Sequence, residues 1–145
     1  MKLAIASDHG GFELKEAIKK HLIEDRKIEV LDLGTHSTES VDYPDYGHAC
    51  GRAVASGEAD CGIVCCGTGI GISISANKVK GIRCALVTCD FSAEMTKRHN
   101  NANMLALGGR TTNPKLALEI VDAFLDTEFE GGRHERRTDM LDEMC

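Results

Sequence analysis

Short apolar runs alternating with amphipathic segments predict an α/β fold: a three-layer α/β/α sandwich around a five-stranded, mainly parallel sheet. Two observations carry this. Five apolar runs of four to six residues recur, each closed by turn residues. Between them lie stretches with helical spacing, long enough to cross from one parallel strand to the next. A third observation is the segment Cys61–Asn77, CGIVCCGTGIGISISAN, which reads as strand, glycine loop and helix start, as in Rossmann-like folds.

Lys2 to Ser7 forms the first run, closed by Asp8-His9-Gly10-Gly11. Phe12 to Glu24 has Leu14, Ile18 and Leu22 four apart, the spacing of one helix face. Ile28 to Leu33 is the second strand. Thr35 to Gly47 reads as a polar loop containing Tyr43-Pro44, and Tyr46 to Ala55 as a helix stopped by Gly57. Cys61 to Cys66 is the third strand, and Ile70 to Asn77 a helix of modest propensity. Arg83 to Thr88 is the fourth strand, followed by a helix from Ser92, as its cap, to His99. Asn103 to Leu107 is the fifth, closed by Gly108-Gly109-Arg110. Pro114 to Leu125 starts with proline in its first turn. A basic cluster, Gly132 to Arg137, leads into a last short helix ending at Met144.

The 145 residues suit one domain, 1–145, with an aliphatic core, since aromatics are 4% and tryptophan is absent. The net charge of −6 argues against nucleic acid held by overall field. No apolar run approaches the roughly 20 residues of a membrane helix. The chain opens without a signal-peptide pattern, and its seven cysteines are odd in number; both favour reduced thiols in a cytoplasmic protein. No zinc-ligand spacing is present, and neither a metal nor a cofactor is expected.

In a parallel sheet, ligands bind beyond the carboxyl ends of the strands. That edge should collect Asp8 and His9, Thr35 and the Tyr43 loop, Cys66 with Gly67 to Gly71, Cys89-Asp90, and Gly108 to Arg110. The loop Gly67-Thr68-Gly69-Ile70-Gly71 has the glycines of a backbone anion cradle. It lacks the third glycine of a dinucleotide fingerprint, since Ile72 stands there, although Asp90 keeps a nucleotide reading open. No Walker lysine follows. A C-x5-R phosphatase loop would need arginine where Gly71 or Ile72 stands. A ligand-free tight turn would need only one glycine.

Cys66 ends its strand at this cradle, and a helix N-terminus beside it favours the thiolate, a nucleophile or a general base. Cys50, Cys61, Cys65, Cys84 and Cys145 read as small inert thiols. Asp8 is either a helix cap or a working acid, and His9 a turn residue or its partner. His99 in a last helical turn suits the helix dipole. His21, His36 and His48 read as surface residues. Arg133 and Arg137, four apart, form either a phosphate clamp or a solvated face.

Together these motifs resemble one family. Ser7-Asp8-His9-Gly10-Gly11-Phe12, Asp42-Tyr43-Pro44, Cys66 to Gly71, Ala76-Asn77-Lys78, Gly81-Ile82-Arg83, His99-Asn100 and Gly131-Gly132-Arg133-His134 follow the order of the type B ribose-5-phosphate isomerases. That family also holds allose-6-phosphate and galactose-6-phosphate isomerases. The resemblance implies a metal-free aldose–ketose isomerisation of a sugar phosphate through an enediolate. It implies Cys66 as the base, and His99, with help from Asp8, in ring opening. Thr68 and the amides of Gly67, Gly69, Ile70 and Gly71 would face the enediolate, while Tyr43, Asn100, Asp8 and His9 would contact substrate. His9, Arg110, Arg133 and Arg137 would hold phosphate. Ser75 stands where another branch of the family carries a carboxylate base. A homodimer with the site at its interface is implied, and a dimer of dimers remains open. Allose or galactose 6-phosphate as substrate, and a non-catalytic sugar-phosphate-binding module, are the alternatives.

Overall fold

The computed structural model describes residues 1–144; Cys145, read above as inert, lies outside the described residues. The strands are β1 (Lys2–Ser7), β2 (Glu29–Asp32), β3 (Cys61–Cys66), β4 (Cys84–Leu86) and β5 (Met104–Gly108). The helices are α1 (Phe12–Lys20), α2 (Tyr43–Ala55), α3 (Ile70–Asn77), α4 (Asp90–Asn100), α5 (Pro114–Asp126) and α6 (Arg133–Glu143).

The strand order is β2-β1-β3-β5-β4, and every neighbouring pair is parallel. Ile5, Ile63 and Leu105 lie in one register row across β1, β3 and β5. They bury one face of the sheet against Leu14 and Ile18 of α1 and Ile120 and Phe124 of α5. On the other face Ala4, Ala6, Val64 and Ala106 pack with Cys50 and Val54 of α2 and Ile72 and Ala76 of α3. Small residues let that layer come close. A Cβ on Gly47 of α2 would lie 2.8 Å from the Ile72 carbonyl of α3. Strands buried on both faces need continuous apolar runs rather than alternation, which is why the sequence displays them as runs. Alternation instead sends Cys65 and Cys66 to opposite faces.

The structure moves several sequence-read boundaries. α2 starts at Tyr43 rather than Tyr46, because Pro44 fits the first turn of a helix, where no N–H is needed. Tyr43 is therefore a helix residue, and the loop is 33–42. α4 starts at Asp90, and Ser92 is not its cap; the Ser92 hydroxyl instead accepts from the Cys89 thiol at 3.4 Å. The first helix ends in a π turn, His21–Asp25. His21 is not a surface residue: it is 14% exposed between Asp25 (2.9 Å) and Asp122 (2.8 Å). Burial pulls its pKa down, but the hydrogen bonds to Asp122 and Asp25 override this and raise it.

Lys15 is the largest surprise of the core. Its side chain is fully buried, with Nζ donating to both Asp32 oxygens at 2.9 and 2.8 Å and to Glu16 at 2.8 Å. Lys19 joins Asp32 at 2.9 Å. This cluster pins α1 to the end of β2, and the same Asp32 accepts the Gly34 N–H that opens the loop.

Candidate active site

Because all strands are parallel, their carboxyl ends share one edge. The chain leaves β1 towards β2 on one side and later enters β3 on the other, so the loops after β1 and β3 diverge and open a crevice. Asp8 and Cys66 stand at its two sides.

Asp8 is buried, and its carboxylate accepts the Gly11 N–H at 3.1 Å. Asp8 therefore caps the short 3-10 turn His9–Gly11 at the crevice and not the helix from Phe12, whose N-cap is Gly11. The His9 Nδ1 lies 3.1 Å from the Val41 N–H. That N–H can only donate, so Nδ1 accepts and the ring proton sits on Nε2. Val41, which sequence reading did not single out, thereby ties the 33–42 loop to the site.

Cys66 is buried, and its Sγ accepts the Gly69 N–H at 3.1 Å. Gly69 holds φ +79°, and a Cβ there would lie 2.6 Å from Leu86 Cδ1; glycine alone fits. The exposed Thr68 Oγ1 accepts the Ile70 N–H at 3.2 Å, which leaves its own proton free to donate outward. Among the described residues the N–H groups of Gly67, Thr68 and Gly71 find no protein acceptor. They lie at the N-terminal end of α3, where unpaired N–H groups and the helix dipole favour negative charge. The Tyr43 ring roofs this end: a Cβ on Gly71 would lie 2.6 Å from it.

Arg110 donates its backbone N–H to the Gly67 carbonyl at 2.8 Å, and its guanidinium lies against Gly67. Two further glycines make this possible. A Cβ on Gly109 would sit 2.6 Å from the Gly10 carbonyl, and one on Gly10 would sit 3.1 Å from the Gly67 nitrogen. Three turns thus meet backbone to backbone, a role visible in the sequence only as paired glycines.

Burial pushes Cys61 up to about 11 and Cys84 up to about 12, and raises Cys50 and Cys65 as well, which keeps all four protonated.

Four sequence-read residues are elsewhere. α4 leaves the carboxyl edge at Asp90 and runs back along the sheet, so it carries His99 and Asn100 about 14 to 15 Å away, to the amino edge. There the His99 ring stacks on His134 of α6, centroids 4.3 Å apart. Arg133 and Arg137 belong to α6, are exposed, and have no carboxylate partner among the described residues. No hydrogen bond or ion pair of the described residues joins these four to the glycine loop.

His99, Glu130 and His134 bring metal-type donor atoms within 4.8 Å of one another. Two features oppose a cation there. The rings are nearly parallel, at 11°, so their lone pairs do not converge, and Arg98 already faces Glu130 at 3.9 Å. No helix among the described residues is long and apolar enough to cross a membrane.

A family model described as Ribose/Galactose Isomerase matches residues 3–141. The ribose-5-phosphate isomerase B of Escherichia coli is 49% identical over 140 residues, covering 97% of this chain and 93% of its own. The solved ribose-5-phosphate isomerase B of Clostridium thermocellum is 55% identical, with TM-score 0.97, covering 99% of this chain and 97% of its own. The Mycoplasma genitalium enzyme, solved with bound ribulose-5-phosphate, is 41% identical with TM-score 0.92, covering 98% and 94%.

Proposed function

The chain belongs to the Ribose/Galactose Isomerase family, and from that premise we propose that it interconverts ribose 5-phosphate and ribulose 5-phosphate with Cys66 as the base. Relatives named for this activity, one of them solved with ribulose-5-phosphate bound, support the substrate. The observation that carries the chemistry is the Cys66 thiol at the rim of unclaimed N–H donors.

A proton beside a carbonyl is weakly acidic, so a base needs donors waiting where charge develops. Cys66 takes the proton from carbon 2 and returns it to carbon 1; the electron pair passes through an enediolate, and the hydroxyl proton moves from oxygen 2 to oxygen 1. The free amides of Gly67, Thr68 and Gly71 and the Thr68 hydroxyl face its oxygen, while the Gly69 and Ile70 amides hold Cys66 and Thr68 in place; one such donor is typically worth roughly 100- to 1000-fold in rate. With these donors the step needs no Lewis acid. His99, helped by Asp8, opens the sugar ring. The Nε2–H of His9 joins Arg110, Arg133 and Arg137 on the phosphate, Tyr43 and Asn100 touch the sugar, and remote phosphate binding supplies orientation.

One copy holds the two halves of this apparatus at opposite edges, so the reading includes a homodimer in which each site takes His99, Asn100, Arg133 and Arg137 from the second copy. Ile70 and Ile74 of α3, 52% and 55% exposed, and Phe91, 69% exposed, offer the apolar surface beside the Cys66 crevice that such a partner would cover.

Proton NMR of ribose 5-phosphate in heavy water, with a chelator present, tests the proposal. The wild type should form ribulose 5-phosphate with deuterium entering the substrate carbons. Cys66→Ala should fold normally and lose nearly all turnover. Near-normal turnover in that variant removes Cys66 as the base, and a wild type that forms no ketose removes the substrate.

A further inference from the structure

α6 carries two of the proposed phosphate arginines yet has almost no core of its own. Thr138 is its one buried residue, and Met140 and Leu141 stay about half exposed. Apolar burial within the chain therefore does not fix its position; polar contacts do, at both ends. At the start, the Glu130 N–H donates to the Arg98 carbonyl at 3.1 Å, and His134 stacks on His99. At the far end stands Arg83, from a sequence motif to which the mechanism above gives no task.

The Arg83 side chain is 17% exposed, and its guanidinium is spent on two elements at once. Nη1 donates to both Asp142 oxygens of α6 at 2.6 and 2.8 Å. Nε donates to the Asn100 carbonyl at 2.9 Å, and Nη2 to the Asn101 carbonyl at 3.0 Å. Those carbonyls close α4, which leaves them without helical partners, and a cation complements that end of the helix. Arg83 itself is anchored to the sheet. Its N–H donates to Asn103 Oδ1 at 2.8 Å, and its carbonyl accepts from the Asn103 and Met104 N–H groups at 3.1 and 3.3 Å. The next residue, Cys84, is bracketed by the Asn77 amide at 2.9 and 2.8 Å.

We infer that Arg83 is a positioning residue: it ties α6 to the end of α4 and so presents Arg133 and Arg137 alongside His99 and Asn100. The role of those four groups rests on the isomerase reading. Asp142 lies about 8 Å along the helix axis from Arg137 and about 14 Å from Arg133, at ~1.5 Å per residue. Tilt released at the tied end therefore displaces both guanidinium groups, and an error of about 1 Å in a positioning group can cost roughly 100-fold. Lysine cannot replace this tie, because one ammonium does not span a carboxylate and two carbonyls in a fixed fork.

The test uses the full chain with Arg83→Met, Arg83→Lys and Asp142→Asn, read by amide hydrogen exchange and by ribose 5-phosphate kinetics. In Arg83→Met, exchange across 133–143 should accelerate while β1, β3 and β5 stay protected. KM should rise roughly 10-fold or more, with a smaller fall in kcat. Arg83→Lys should not restore it. Asp142→Asn keeps the contacts to α4, so it reports on the tie even where Arg83→Met does not fold; it should shift both readouts the same way, less far. Unchanged exchange across α6 in these variants overturns the tie. Faster exchange with unchanged KM overturns the positioning role. A wild type without turnover would count against the isomerase reading alone, since the exchange comparison still reads the tie.

Discussion

Asp32→Asn is the sharpest test of how the scaffold is held. The substitution keeps the shape and leaves an acceptor for the Gly34 N–H, but removes the charge facing the fully buried Lys15. Burial pushes the Asp32 carboxyl up, yet the hydrogen bonds from Lys15, Lys19 and Gly34 outweigh it and hold it at about 2, against an ordinary 3.8. At ~1.4 kcal/mol per pKa unit, that depression is worth about 2.5 kcal/mol. The Asp32 side chain is 15% exposed, so solvent screening takes only a small part. Leaving a buried ammonium short of its partner typically costs ~3–5 kcal/mol, and Glu16 at 2.8 Å keeps this case near the low end. The expected loss at neutral pH is therefore about 3 kcal/mol, or about 10 °C in Tm for a chain of this size. The folded carboxyl lies below its unfolded value. Its stabilisation is therefore complete above pH 3.8 and is lost as pH falls towards 2. Urea unfolding at pH 7 and at about pH 2.5 should show a wide gap between wild type and variant that narrows in acid. Lys15→Met should cost less, since it leaves Asp32 with Lys19 and Gly34 and fills the space with an apolar chain. A loss under about 1 kcal/mol at pH 7, or a gap that does not shrink in acid, refutes the reasoning.

Two further outcomes follow from the site. Mixing Cys66→Ala with His99→Asn, after dissociation and reassociation, should restore roughly a quarter of the wild-type rate, because half the dimers then carry one intact site; no recovery, or a monomeric mass in light scattering, defeats the shared site. Gly69→Ala should lose about 2 kcal/mol in urea unfolding and most of its turnover, since it forces a Cβ to 2.6 Å from Leu86 at φ +79°; a variant of normal stability shows that the loop can relax.

The three central strands could be read directly because β1, β3 and β5 are buried on both faces and so are written as apolar runs, whereas the half-exposed edge strands β2 and β4 came out shorter than their sequence reading. The Cys61–Cys66 strand and the Ile70–Asn77 helix coincide with their sequence reading. The glycine loop was legible for a local reason: its conformation is set by which of its residues lack a Cβ. Boundaries shifted where capping chemistry allowed two answers, as at Pro44 and Ser92. The burial of Lys15 was invisible from its own neighbourhood, since its partner Asp32 arrives from the next strand. His21 escaped for the same reason, its second carboxylate being Asp122, 101 residues away.

By itself, then, the sequence determined the alternating α/β plan, the rim thiol and the glycine cradle, all of which depend on residues within one or two turns of chain. Only the tertiary structure decided which edge each helix end reaches. The parallel sheet gathers Asp8, His9, Cys66, Thr68 and Arg110 at one edge. The antiparallel return of α4 carries His99 and Asn100 to the other, where α6 adds Arg133 and Arg137. Spacing along a sequence records what a residue is and what stands beside it. The direction and length of the intervening helix set how far apart two such groups end up in space.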